Sequence, residues 1–145
     1  QCLLSANLDG SVMVGAGYMS DMLSFYQIEG TETSLLKEYF TKDVELNIVQ
    51  KGQNVFAKGN SNTINGYLAL YSTSKYLYAL YWGTKRDEKP TCCYIQQFEW
   101  NGVFKKGWKI EEPLTSFAVD EQKGILYGLS AKGEPHINVY EIKDR

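Results

Sequence analysis

One pattern recurs three times along this chain, each time in different residues. The fullest copy runs Ser116-Phe-Ala-Val119, then Asp120 and a turn, then Gly124-Ile-Leu-Tyr-Gly-Leu129, a loop, and His136-Ile-Asn-Val-Tyr-Glu-Ile142. A second copy reads Tyr67-Leu-Ala-Leu-Tyr71, Lys75-Tyr-Leu-Tyr-Ala-Leu80 and Tyr94-Ile-Gln-Gln-Phe-Glu-Trp100. The opening of the chain gives a third, Asp9-Gly-Ser-Val-Met-Val14 followed by Leu23-Ser-Phe-Tyr-Gln-Ile28. A repeat built of short strands restricts the fold to propellers, solenoids and related arrays, because one unit cannot bury its own apolar face. Val14 and Gly128, Tyr26 and Tyr140, and Ile28 and Ile142 all stand 114 positions apart, so the first and third copies align without a gap. Tyr78 and Tyr127 are 49 apart, but Phe98 and Tyr140 only 42. The difference falls in the hydrophilic stretch Gly83-Thr-Lys-Arg-Asp-Glu-Lys-Pro90, where an exposed loop absorbs an insertion.

Each copy reads as strands. Ile95, Gln97 and Glu99 alternate with Gln96, Phe98 and Trp100, the period of two expected where one strand face is buried. Asn101-Gly102 follows, the strongest short hairpin signal, and predicts a fourth strand over Val103 to Ile110. Leu35 to Phe40 is its counterpart in the first copy. Met19 to Gln27 comes nearest to a helical period, and the repeat accounts for it better. Four antiparallel strands per unit, with units about 45 residues apart, is the size of a propeller blade. The expectation is therefore an all-β chain of about three four-stranded blades, in units of roughly 1–40, 64–110 and 114–145, with 41–63 as an inserted connection. A β-sandwich or barrel is the alternative. Within 41–63, Lys42-Asp43 reads as a charged turn, Val44 to Val49 alternates, and Asn54 to Ala57 follows the turn Lys51-Gly52, which predicts one extra hairpin.

Three blades cannot close a propeller ring, and the last copy stops after its third strand. A C-terminal half of a propeller is expected on that ground, and two copies about a twofold axis would complete the ring. The net charge is −2 with both signs interspersed, so no basic patch argues for nucleic acid. No apolar run is long enough to span a bilayer as a helix. No signal peptide is visible, but the chain starts at Gln1 rather than Met, so a processed or truncated piece is expected and the compartment is not legible.

The strand and hairpin motifs Lys75-Tyr-Leu-Tyr-Ala-Leu-Tyr-Trp-Gly83, Ile95-Gln-Gln-Phe-Glu-Trp-Asn-Gly102, Phe117-Ala-Val-Asp120 and Ile125-Leu-Tyr127 resemble those of the TolB-like six-bladed propeller proteins of Bacteroides and relatives. Glu99 and Asn101 depart modestly from the Phe-Asp-Trp-Asp-Gly form of the family hairpin. The resemblance is carried by about residues 60 to 142 and only weakly by the first 40. It implies an exported protein, often a periplasmic or outer-membrane lipoprotein, with no activity commonly assigned, of which this chain is about half a ring.

The chemistry-bearing residues are sparse. Cys2, Cys92 and Cys93 lack zinc or thioredoxin spacing and read as small apolar fillers, with a disulfide from Cys2 to one of the pair as the alternative in an exported protein. His136 is the only histidine, at the start of a third strand and without a ligand set in the sequence around it. Asp9, Asp120 and Ser74 occupy equivalent turns, where each can bond backbone two residues on. Asp87 and Glu88, flanked by Lys85, Arg86 and Lys89, read as a solvated loop tip. No catalytic, cofactor or metal residues are assigned. The leading expectation is a non-enzymatic binding module for a protein, peptide or glycan at the cell envelope, with 41–63 and Gly83 to Pro90 as the loops shaping its ligand surface. A carbohydrate hydrolase or lyase with its catalytic residues mostly outside this chain is the alternative, and a purely structural role in a larger assembly is the third.

Overall fold

The computed structural model describes residues 2–41, 46–130 and 132–143, and among them every regular element is a strand. Strands β1 (Cys2–Ala6), β2 (Val12–Gly17), β3 (Leu23–Glu29) and β4 (Glu32–Tyr39) form one antiparallel sheet in chain order. A separate hairpin, β5 (Leu46–Lys51) and β6 (Asn54–Gly59), interrupts the series. The second sheet follows as β7 (Ile64–Ser72), β8 (Tyr76–Lys85), β9 (Cys93–Glu99) and β10 (Phe104–Ile110). The third holds β11 (Leu114–Asp120), β12 (Ile125–Ser130) and β13 (His136–Glu141). The inserted hairpin turns at Gly52, which adopts a positive φ. Lys42-Asp43 and the first residues of the alternating run, Val44 and Glu45, lie outside the described residues.

The three sheets stack face to face rather than closing edge to edge. One apolar cluster, with Val14, Leu23, Phe25, Leu77, Ala79 and Phe98, fills the space between the first and second sheets. Another, with Tyr78, Leu80, Ile95, Leu114, Phe117 and Leu126, fills the space between the second and third. The innermost strands also follow one another, β1 against β7 and β7 against β11, and the Ser5 and Ser72 hydroxyls hydrogen-bond at 2.6 Å. A middle sheet covered on both faces excludes the two-layer sandwich and the closed barrel, and leaves the propeller-like stack of blades. It also explains the composition of β8. Leu77 and Ala79 point into one core and Tyr78 and Leu80 into the other, so the strand needs an unbroken apolar run.

The same double coverage corrects the reading of β9. Its alternation does not separate a buried face from a wet one: Gln97 is itself buried, and its amide donates to the Tyr78 hydroxyl at 2.7 Å. Strand pairing confirms the match of the second and third copies, since Tyr76 faces Glu99 as Ile125 faces Glu141. The gapless match of the first copy fails by one residue. Tyr26 lies opposite Met13, yet Tyr140 lies opposite Leu126 rather than Tyr127. Six residues separate the paired Ala16 and Leu23 in the first sheet but five separate the paired Ser130 and His136 in the third, which shifts the register by one.

The Asn101-Gly102 hairpin forms, with Gly102 at φ 88° and the Glu99 N–H bonded to the Val103 carbonyl. Strand β8 runs to Lys85, so Gly83 belongs to the sheet and the exposed loop begins at Arg86. Gly83 has a positive φ beside the register shift between Asn65 and Tyr67, and this bulge lets the strand continue.

Candidate functional site

Antiparallel connectivity places five connections at one end of the stack: 18–22, 60–63, 86–92, 111–113 and the loop before His136. They are tied to one another. The Gly66 N–H donates to the Tyr18 carbonyl and the Arg86 N–H to the Thr63 carbonyl, each at 2.8 Å. Between the second and third sheets these loops leave a groove of about 400 Å³, walled by Trp82, Pro90 and Pro113 and rimmed by Thr91, Thr115 and Lys132. The Trp82 indole N–H donates to the Leu114 carbonyl at 2.7 Å, which fixes the ring against the third sheet. The site is thus a mostly apolar slot with cationic and hydroxyl edges, in which Trp82 and Thr115 stand on strands and the other lining residues on the connecting loops.

A polar knot sits beside it. Glu112, in the β10–β11 connection, accepts from the Asn138 amide, from the Tyr140 hydroxyl at 3.1 Å and from Ser130, and its other oxygen lies 3.2 Å from His136 Nε2. Alternation along β13 puts His136, Asn138 and Tyr140 on one face, so a single carboxylate reaches all three. The hydrogen bond from Ser130 most of all holds the Glu112 carboxyl below its ordinary value; burial opposes it next, and Tyr140, His136 and Asn138 add smaller lowering effects. A depressed carboxyl contributes stability that is present above its unfolded pKa and lost as pH falls through the folded one. Melting followed from pH 7 downward is therefore expected to show wild type losing more stability than Glu112→Gln once pH drops below about 4.5. Parallel curves would contradict this.

His136 opens β13 as expected, but the sequence around it hides its acidic neighbour. Glu112 is distant in the chain and close in space. Its second nitrogen, Nδ1, faces the Glu134 carbonyl at 2.8 Å. Among the described residues no three His, Cys, Asp or Glu side chains group as a metal site. Of the turn residues, Asp9 accepts from the Ser11 N–H and Asp120 from the Lys123 N–H. In the middle sheet that role belongs to Thr73, whose hydroxyl oxygen takes the Tyr76 N–H at 3.0 Å, and not to Ser74. Asp87 and Glu88 are exposed at the loop tip. Of the two loops expected to shape a ligand surface, the second supplies Lys89 and Pro90 to the groove. The described part of the first supplies nothing to it.

The three cysteines are free thiols, so the alternative disulfide is absent. They also differ: Cys93 is buried and bonds the Glu112 carbonyl, Cys92 is half-buried, and Cys2 is exposed rather than a filler. Burial first of all pushes the Cys93 thiol up to about 11. Alkylation of the native protein at pH 8, read by mass spectrometry, is expected to label Cys2 first, Cys92 more slowly, and Cys93 only once denaturant is added. Equal labelling of Cys2 and Cys93 would contradict the burial.

A family model described as TolB-like 6-blade propeller-like matches residues 4–122. The chain belongs to that family. The match takes in the first sheet from Leu4 onward, where the sequence motifs are faintest, and ends in the β11–β12 turn, so its coverage differs from the 60–142 carried by those motifs. No curated protein and no solved structure matches the chain. Among the described residues no helix is long and apolar enough to cross a membrane. Trp82 and Glu112 are the residues that sequence reasoning missed. Trp82 ends an aromatic strand run and reads as core, while Glu112 stands outside any periodic segment.

Proposed function

We propose that the protein is a non-enzymatic binding module that presents the loop-end groove to a peptide or glycan of the bacterial envelope. The observation that carries this reading is the Trp82–Pro90–Pro113 groove itself, an apolar slot edged by Thr91, Thr115 and Lys132 on a propeller-like frame. Propeller loops at one end commonly serve binding while the sheets serve stability. Calorimetric titration with soluble muropeptides and envelope oligosaccharides tests it. Saturable binding that disappears in Thr91→Trp, whose added ring fills the groove from its exposed rim, supports the reading. No saturable binding by a well-folded sample overturns it.

The finer placement is also a proposal. The three sheets form the C-terminal half of a six-bladed ring of the Bacteroides type, in blade units of about 1–40, 64–110 and 114–145, in an exported protein of the periplasm or outer membrane. The family supports six blades. The end faces support continuation of the stack: Leu4 and Leu35 on the first sheet, and Leu129, Ile137 and Val139 on the third, are exposed apolar side chains where the internal interfaces bury theirs. Light scattering on this chain is expected to give a folded particle of twice the chain mass, two half-rings closing on each other. A folded monomer at high concentration overturns the half-ring.

A further inference from the structure

The opposite end of the same inter-sheet space holds a second cleft, of about 390 Å³, whose lining differs in kind from the groove. Four lysines come to it from four separate places. Lys75 lies in the β7–β8 turn, Lys106 on β10, Lys123 in the β11–β12 turn and Lys143 just after β13. Turns at this end face away from the loop-end groove, so the two sites are separate. The Lys106 ammonium lies over the Trp108 ring, 5.0 Å from its centroid, and this cation–π contact holds it in the cleft. Lys123 pairs with Asp120 at 3.3 Å, and positive charge still predominates over Glu121 and Asp120.

The cleft also has a buried polar wall. Gln97, buried in the middle sheet, donates to the Tyr78 hydroxyl, which donates to Glu121 at 3.0 Å; the Thr73 hydroxyl donates to the same Glu121 oxygen at 2.8 Å. Buried polar chains of this kind cost stability unless every member is satisfied, and this one opens onto a cleft rather than ending in the core. Lysines alone would suit any anion. A carboxylate and an amide beside them suit a ligand that also donates hydrogen bonds. A phosphodiester group does not, since it offers only acceptors and meets the repulsion of Glu121.

We propose that this cleft binds a carboxylate- or sulfate-bearing sugar, the lysines taking the anionic group and the Gln97–Tyr78–Glu121 wall taking ring hydroxyls. Such a site deepens the envelope reading without depending on the groove, and its test does not involve groove residues.

The test is calorimetric titration of the protein with trigalacturonate, with maltotriose and with sodium sulfate at low ionic strength. The reference variant is Lys123→Glu/Lys143→Glu, which changes two exposed side chains. Trigalacturonate is expected to bind saturably and to weaken about tenfold or more in the double variant, the loss expected for charge-assisted contacts. Added salt should weaken it too. Maltotriose should bind at least about tenfold more weakly, for want of the carboxylates. Unchanged circular dichroism in the variant shows that a loss is local. No binding of trigalacturonate, or binding unaltered by charge reversal, overturns the site. Sulfate binding as tightly as trigalacturonate overturns the sugar and leaves a simple anion cleft.

Discussion

Gly66→Ala is expected to lower the unfolding free energy by about 3 kcal/mol, near the upper end of what over-packing costs. A β-carbon at Gly66 would lie 1.7 Å from the Ser20 carbonyl oxygen and 2.7 Å from that of Gly17. Both obstacles are backbone atoms, so no rotamer change relieves them. Relief requires the 18–22 loop to withdraw from β7, which would break the bond from the Gly66 N–H to the Tyr18 carbonyl. That bond is part of what joins the first sheet to the second. Gly107→Ala is the control, because a β-carbon there meets its neighbours no closer than 3.5 Å and its φ is negative or extended. Urea titration of the two variants separates the cases. Equal midpoints would mean that the first sheet does not approach β7 as closely as described.

Gly66 also shows where the sequence is legible and where it is not. In the repeat it reads as one more strand-leading glycine, and nothing nearby in the chain marks Ser20 as the atom it must make room for. Strand positions were legible because they depend on local side-chain alternation and turn residues: Asn101-Gly102 and Lys51-Gly52 both turn as their chemistry dictates. Stacking order was legible from the blade-sized repeat. Register was not fully so, since Tyr26 and Tyr140 occupy matching strands but differ by one partner, a shift set by loop parity rather than by strand residues. The candidate site was least legible. Glu112 gains Asn138, Tyr140 and His136 only because β13 folds back beside the β10–β11 connection. Trp82 becomes a groove wall only because Pro90 and Pro113 converge on it from different loops. Chemistry assembled across sheets leaves no periodic trace in one chain.

Phe98→Ala is expected to cost about 3–5 kcal/mol, the largest loss of any single side chain considered. Phe98 is 2% exposed and meets three rings, Phe25 at 5.6 Å, Tyr39 at 5.4 Å and Phe104 at 5.5 Å between centroids. Phe25 and Tyr39 come from the first sheet and Phe104 from the second, so truncation opens a cavity on the seam between two blades. The Tyr39 hydroxyl donates to the Gly102 carbonyl at 2.7 Å, and its ring leans on Phe98, so the cavity also loosens that inter-sheet bond. Leu126→Ala removes a fully buried side chain from the other seam and is expected to cost about 2–5 kcal/mol there. Hydrogen exchange distinguishes the two variants. Phe98→Ala should speed exchange chiefly in β2 and β3, and Leu126→Ala chiefly in β11 and β12, because each core joins only one pair of sheets. If both variants raise exchange evenly across all three sheets, the stack unfolds as one unit and the two seams are energetically inseparable. If Phe98→Ala costs less than about 1 kcal/mol, the aromatic cluster does not hold the first blade to the second.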